Sequence, residues 1–212
     1  MSPRLLPRRK AGRTKQKSAS GSLIELVTIV VVALGLALGI QAFLVKPFRI
    51  PSESMVPTLE VGQRVLVDRV SFRFGDPERG DIVVFKPPAG ADTNSCGVEH
   101  SPDTSCPRPT SGKSDTNFIK RVVAVGGDRV KVINGAVYID GKRQRQPYAR
   151  LDSECGICNL PHEIEIPKGY YFMMGDNRGE SADSREWGPI PKKWMIGKAF
   201  ATYWPPGRIG TL

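Results

Sequence analysis

The sequence predicts a mainly β protein, antiparallel in its folded part, behind one transmembrane helix. Three observations predict it. A long, nearly continuous apolar run fills residues 26–44. Beyond it the hydrophobic pattern becomes alternating, in short segments rich in Val, Ile and aromatics. No long amphipathic helical window follows residue 46.

The chain has 212 residues and a formal net charge of +10, unevenly placed. Arg4, Arg8, Arg9, Lys10, Arg13, Lys15 and Lys17 put +7 in the first 20 residues, with no acid among them. Such a run cannot bury enough apolar surface to fold, so a solvated, disordered tail is expected over 1–22. No aromatic residue is interleaved with these cations, so nucleic acid is not an expected partner.

Residues 26–44 are apolar apart from Thr28 and Gln41. Extended over 23–45, the run reaches the ~20 residues that span ~30 Å of hydrocarbon as a helix. A cleaved signal peptide has the same basic flank and apolar centre. The length of the run favours a retained anchor, as does the Lys46-Pro47-Phe48-Arg49 that follows it in place of a small-residue cleavage site. The basic tail then stays in the cytoplasm. Residues 46–212 become the extracytoplasmic domain of a single-pass plasma-membrane protein, with the lipid bilayer as its first expected partner.

Within that domain strands are expected at 63–72, 81–85, 118–125, 129–133, 136–139 and 170–174. Asn134-Gly135 between VKVI and AVYI signals a two-residue hairpin, since both positions favour positive φ. Residues 86–117, rich in Pro, Gly, Ser and Asp, and polar residues 144–160 read as loops or a peripheral lobe. Each carries a cysteine pair, Cys96 with Cys106 and Cys155 with Cys158. In an exported domain two local disulfides are the favoured reading. A four-thiolate zinc site and a redox C-x-x-C are the alternatives; the first pair is widely spaced for zinc, and the C-x-x-C lacks a βαβ context.

The chain has two histidines, His100 and His162, and neither stands in a recognisable catalytic setting. It does offer Ser54 in PSESMVPTL and Lys120 in NFIKRVVAVGGD. A serine hydroxyl is a poor nucleophile until a base takes its proton. Lysine titrates near 10.4 in water, but an apolar site disfavours the ammonium and lowers that value. On a strand Lys120 points with Phe118 and Val122, and Arg121 faces solvent. Ser52 can aim a second hydroxyl at a developing oxyanion. Ser181 or Ser184 can orient the amine, and Asp176, Asp183, Arg178 and Arg185 suit a charge-paired scaffold. Each piece also has a bland reading: an edge lysine that snorkels, a serine in a surface turn, a polar loop over 175–191.

Taken together, residues 48–59 (FRIPSESMVPTL), 63–68 (QRVLVD), 80–85 (GDIVVF), 118–128 (FIKRVVAVGGD) and 175–191 resemble the bacterial type I signal peptidases, or leader peptidases. The resemblance implies Ser54 as nucleophile and Lys120 as general base. It implies an oxyanion hole from the Ser52 hydroxyl and the Ser54 N–H. Ser181 would hold Lys120, and Asp183, Arg185 and Asp176 would support the site. Shallow pockets for small side chains would involve Phe48, Ile50, Pro51, Met55, Leu59, Phe118, Ile119 and Ala182. The implied fold is an antiparallel β catalytic core of signal-peptidase type with an inserted ribbon or small lobe. The implied substrates are signal-peptide-bearing preproteins, bound as an added strand near the secretion translocon, with no metal or cofactor. Members vary between the strand ending at Phe85 and the lysine strand, so nothing carries over onto Cys96 and Cys106. Trp187, Trp194 and Trp204 suit the membrane interface or simple packing. Two other readings compete. One is an anchored extracytoplasmic β-domain that binds peptides or cell-wall components without catalysis. The other is a self-cleaving repressor-type Ser/Lys protease, a class that lacks an anchor.

Overall fold

The computed structural model describes residues 19–151 and 158–212, with only the backbone described at 19–22 and 41–43. Two compact units divide the chain after Gln41. The first holds all but the last two residues of helix α1, Ala19–Phe43. Its 23–40 window has a mean hydropathy of 2.7 and none of it is buried by protein. That helix is long and apolar enough to cross a membrane. Glu25 lies at the helix's charged end, and Thr28 donates its hydroxyl to the Ile24 carbonyl at 2.8 Å and so needs no outside partner.

The second unit is built from short strands: β1 (Val45–Arg49), β2 (Arg64–Asp68), β3 (Ile82–Phe85), β4 (Phe118–Val125), β5 (Arg129–Ile133), β6 (Ala136–Ile139), β7 (Lys142–Arg143), β8 (Leu160–Glu165), β9 (Tyr170–Met174), β10 (Ile190–Pro191), β11 (Met195–Trp204) and β12 (Gly210–Thr211). Two four-residue helices, α2 (Ser71–Phe74) and α3 (Ser184–Trp187), sit in its connections. The larger sheet runs β1-β2-β11-β3-β4-β9-β10 with β12 on β11, and every pairing is antiparallel. A smaller sheet, β7-β6-β5-β8, is inserted between β4 and β9. The mainly β, antiparallel expectation therefore holds.

Strand β4 is the spine that positions everything else. It is central in the large sheet, and six of its eight residues are buried, which is why it reads as a nearly continuous apolar run. One face joins Val84 and Ile119 to a core around Ile50, Met55, Leu59 and Val65. The other joins Val83, Phe85 and Val122 to Trp187 and Ile190. Between the sheets Val130, Val132 and Val137 pack on Phe172 and Met174.

The sequence expectations differ from the structure at several elements, among them β1, β7, β10 and β12, none of which was expected. The strand expected over 63–72 stops at Asp68, whose carboxylate accepts the Val70 N–H at 2.7 Å and the Ser71 N–H at 3.3 Å, turning the chain into α2. β11, the hub between β2 and β3, was not anticipated, and its register shifts explain why: bulges break the alternation. β8 opens at Leu160, inside a stretch read as loop. Cys96 and Cys106 are joined by a disulfide with a Cα separation of 5.7 Å, which closes part of the irregular 86–117 segment and removes both sulfurs as zinc ligands. Cys158 is disulfide-bonded, and Cys155 lies outside the described residues, as does most of the basic tail.

Asn134 (φ 47°) and Gly135 (φ 74°) form the left-handed pair that joins β5 to β6. A Cβ on Gly135 would meet nothing closer than Leu151 Cδ2 at 3.4 Å, so a substitution there strains only the backbone. Gly135→Ala is expected to cost about 1–2 kcal/mol and to lower the thermal midpoint by several degrees. A melting curve checks it.

Candidate active site

Ser54 sits in a 3₁₀ turn, Glu53–Met55, entered from extended Ser52. Met55 and Leu59, both fully buried, anchor that turn in the core. A second loop clamps it from behind. The Asn177 N–H donates to the Ser54 carbonyl at 3.1 Å, and Asn177 Nδ2 donates to the Glu53 carbonyl at 3.3 Å. Gly175 lies so close that a Cβ there would fall on the Ser181 side chain and the Ser54 carbonyl oxygen. Only glycine permits that approach.

Lys120 comes from the middle of β4, opposite Val83. It is 4% exposed, and its Nζ lies 5.9 Å from the centre of the Phe118 ring. Burial lowers its pKa from 10.5 to about 8; the Asp183 charge opposes the shift and the Arg185 charge assists it. Among the described residues Lys120 Nζ has no hydrogen-bond partner. The hydroxyl of buried Ser54 is 3.4 Å from that of exposed Ser52. Ser54 and Lys120 line one cleft with no hydrogen bond between them, as is common in uncomplexed sites.

Beneath the lysine lies a wholly buried ion pair. Arg185 Nε donates to Asp183 Oδ1 and Arg185 Nη2 to Asp183 Oδ2, each at 2.8 Å, with both side chains at 0% exposure. Burial opposes ionisation of Asp183, but Arg185 prevails and holds the carboxyl below its usual range. The same carboxylate accepts the Gly175 N–H at 3.0 Å and the Ser181 hydroxyl at 2.8 Å. Ser181 therefore donates to Asp183. Ser184, the other serine considered for the amine, accepts the Met173 N–H at 2.9 Å instead.

Arg121 corrects an expectation. It does not face solvent: at 8% exposure it grips Asp176 bidentately at 2.9 and 2.6 Å and stacks 3.9 Å from the Tyr148 ring. Asp176 also accepts the Thr58 hydroxyl at 2.5 Å. The reason is that β4 is covered on both faces, so neither of its charged side chains reaches water. Arg178, also wholly buried, donates to the Gly175 carbonyl at 3.0 Å and the Gln146 side chain at 2.7 Å, and to the Gly135 carbonyl.

A cleft of about 310 Å³ is lined by Pro51, Ser52, Ser54, Ile119, Lys120 and Ala182. A second cleft of about 370 Å³ shares Pro51, Phe118 and Ile119 with it and adds Phe48 and Ile50. Met55 and Leu59, expected at the pockets, line neither cleft; they are core residues. Asn117 and Glu180 line the first cleft and were not anticipated, although each directly precedes a residue that was.

A buried amine and a serine hydroxyl in one apolar cleft are the equipment of a serine hydrolase that works without histidine. Residues 23–204 match the family model described as signal peptidase, peptidase S26. A probable signal peptidase I-2 of Synechocystis is 34% identical over 206 residues, 96% of this chain and 84% of that one. A second Synechocystis protein, a probable signal peptidase I-1, is 38% identical over 188 residues, 89% and 86% of the two chains. Signal peptidase IB of Staphylococcus aureus is 31% identical over 197 residues, covering 86% and 90%. The chain belongs to the S26 signal peptidase family and is a serine endopeptidase. The non-catalytic reading falls with that membership.

Two stability measurements test this frame. Asp183→Ala leaves Arg185 buried without its counter-charge and should cost about 3–5 kcal/mol in denaturant unfolding. Lys120→Met removes a buried ammonium. Because the folded-state pKa of Lys120 lies below 10.5, the native state sheds its proton first, and wild-type stability rises with pH from about 8 to about 10.5. Lys120→Met should therefore be roughly 3 kcal/mol more stable than wild type at pH 7, with the gap closing across that window.

Proposed function

We propose that Ser54 is the nucleophile and Lys120 the general base of this signal peptidase, acting outside the membrane that α1 spans. As a member of its family the chain removes signal peptides from preproteins. The observation that carries the residue assignment is that Lys120, pushed to about 8 by burial, lines the same cleft as Ser54. At pH 7 about a tenth of the amine is then neutral, against less than a thousandth for a lysine in water.

The chemistry follows from those positions. A substrate segment lies extended along the cleft, its small side chains filling the shallow spaces between Pro51, Phe118, Ile119 and Ala182. Lys120 takes the Ser54 proton as the oxygen attacks the carbonyl after the small residue. The Ser52 hydroxyl and the Ser54 N–H stabilise the oxyanion. Lys120 returns the proton to the leaving amine, and water, activated by the same amine, hydrolyses the acyl-enzyme. Ser181, Asp183 and Arg185 hold the lysine's surroundings, and Asp176 with Arg121 holds the strand that carries it. The +7 tail places the N-terminus in the cytoplasm and residues 46–212 on the far side. Substrates emerging from the translocon would meet the enzyme on the same surface, which raises their effective concentration.

Cleavage of a model preprotein, with the new N-terminus sequenced, tests the assignment. Ser54→Ala and Lys120→Arg should each lower turnover by at least about a thousandfold while the domain stays folded. Arginine keeps the charge and cannot serve as base. Normal turnover in either variant would remove that residue from its role. Ser52→Ala should cost about 10²–10³-fold in kcat. For the wild type, kcat/KM should climb about tenfold per pH unit below about 8 and level off above it. A midpoint near the ordinary histidine value would contradict the lysine base.

A further inference from the structure

The catalytic reading leaves one strongly charged surface unused. A cleft of about 660 Å³ is lined by Arg69, Arg73, Lys86, Lys113, Lys192 and Lys193, with Phe72 and Trp194 among its walls and no carboxylate. Asp115 offsets Lys86 at 3.0 Å and Asp76 offsets Lys192 at 2.7 Å. Among the described residues no carboxylate lies within ion-pair distance of Arg73, Lys113 or Lys193. Like charges gathered around one concavity repel each other and focus a positive potential into it, which suits an anion. Beside them Phe74 is 88% exposed, the most exposed large apolar side chain among the described residues.

Hydrogen bonding ties one wall of this cleft to the first residues of the folded domain. The Arg69 N–H donates to the Leu44 carbonyl at 2.9 Å, and Asp68 pairs with Val45 in the β1–β2 register. Leu44 is the residue after α1 ends at Phe43. One residue spans at most ~3.6 Å, whereas the headgroup layer adds roughly 5–8 Å on each side of the hydrocarbon. If α1 is a retained membrane segment, the backbone at Arg69 is held at headgroup depth. An exposed aromatic next to cations is the residue mixture that membrane–water interfaces favour.

We propose that this cleft binds the phosphate of an anionic phospholipid, with the guanidinium and ammonium groups donating to its oxygens and Phe74 seated in the interface. The inference rests on the membrane reading of α1. It gives the enzyme a second, headgroup-selective hold on the bilayer, separate from the apolar anchor.

The test uses the full-length protein reconstituted in phosphatidylcholine nanodiscs with a trace of photoreactive phosphatidylglycerol, and in matched discs with photoreactive phosphatidylcholine. Phosphatidylglycerol should label segments 69–74 or 192–196 at least about tenfold more than phosphatidylcholine. Neutralising one cation near an anionic surface weakens attraction about fivefold, so Arg73→Gln with Lys113→Gln and Lys193→Gln should lower labelling on the order of a hundredfold. Arg73→Lys with Lys113→Arg and Lys193→Arg should keep it. Preprotein cleavage in detergent, within about twofold of wild type, certifies the fold; should the triple variant fail there, the single substitutions, each expected to cost about fivefold, carry the test. Equal labelling by both lipids, or wild-type labelling of the neutralised variant, overturns the proposal. So does displacement of the lipid by millimolar inorganic phosphate, which would assign a free-anion site, or by a polyglutamate peptide, which would assign an acidic partner. Alkaline extraction of membranes reports the anchor separately. Release of wild type would sink the membrane reading, whereas retained protein without lipid preference sinks only the cleft.

Discussion

The desolvated amine of Lys120 is the constraint on which the site depends, and it is in tension with its own neighbours. A shift from 10.5 to about 8 corresponds to roughly 3 kcal/mol. A bare carboxylate about 4 Å from an ammonium would favour the charged form by about 4 kcal/mol at an effective dielectric of about 20, enough to erase that shift. Asp183 is a fully buried carboxylate and does pull the lysine upward. Arg185 resolves the conflict. It grips Asp183 through two hydrogen bonds and sets its own positive charge against the upward pull of that carboxylate, leaving burial to dominate. Asp183 is left free to fasten Gly175 and Ser181 without holding a proton on the base.

The same strand meets the cost of burying charge in two ways, one residue apart. Alternation sends Lys120 and Arg121 to opposite faces of β4. Arg121 is matched by Asp176, which takes both arms of its fork, and by Tyr148, which covers its plane. Lys120 has no such partner among the described residues and is pushed toward neutrality. Arg121 also ties the catalytic parts together. Asp176 accepts Thr58, just past the Ser54 turn, and its neighbours Gly175 and Asn177 back the turn itself. Three segments far apart in sequence are thereby held to one geometry by hydrogen bonds rather than by the loops alone, the support a reacting pair needs.

Much of this was legible in the sequence, for identifiable reasons. β4, β5, β6 and β9 are readable to the residue because each is a run of Val, Ile or aromatic residues bounded by turn formers. Asn134-Gly135 announces its turn because few other pairs accept positive φ twice. β11 hides behind bulges and an internal Gly197 whose Cβ would strike the Asp68 carbonyl, so its pattern serves close packing instead of alternation. Arg121 was misread because alternation says only that neighbours face opposite ways. Whether the second face is wet depends on Tyr148 and the loop at Asp176, which belong to other segments. Met55 and Leu59 were misplaced for a related reason: next to Ser54 in sequence, they anchor its turn in the core, which takes them out of the cleft.

The absence of a histidine base also has a physical reading. His100 is exposed and bonded locally to the Ser101 carbonyl, and exposed His162 pairs with Asp103, so neither serves the cleft. An amine tuned by burial behaves differently from an imidazole, because its basicity depends on how much water reaches it. Burial is the leading cause of its low value, and the cleft above it is open to one side until a peptide fills it. An extended substrate laid across Ser52, Ser54 and Ile119 removes further water from Nζ and brings no compensating charge if its side chains there are small and apolar. Binding then lowers the cost of deprotonation where and when the base is needed. A large or acidic side chain at the same place would hold water in or steady the ammonium. On the proposed mechanism, selectivity for small neutral residues and activation of the lysine would be one effect of desolvation, acting on a strand that the fold has already dried on both faces.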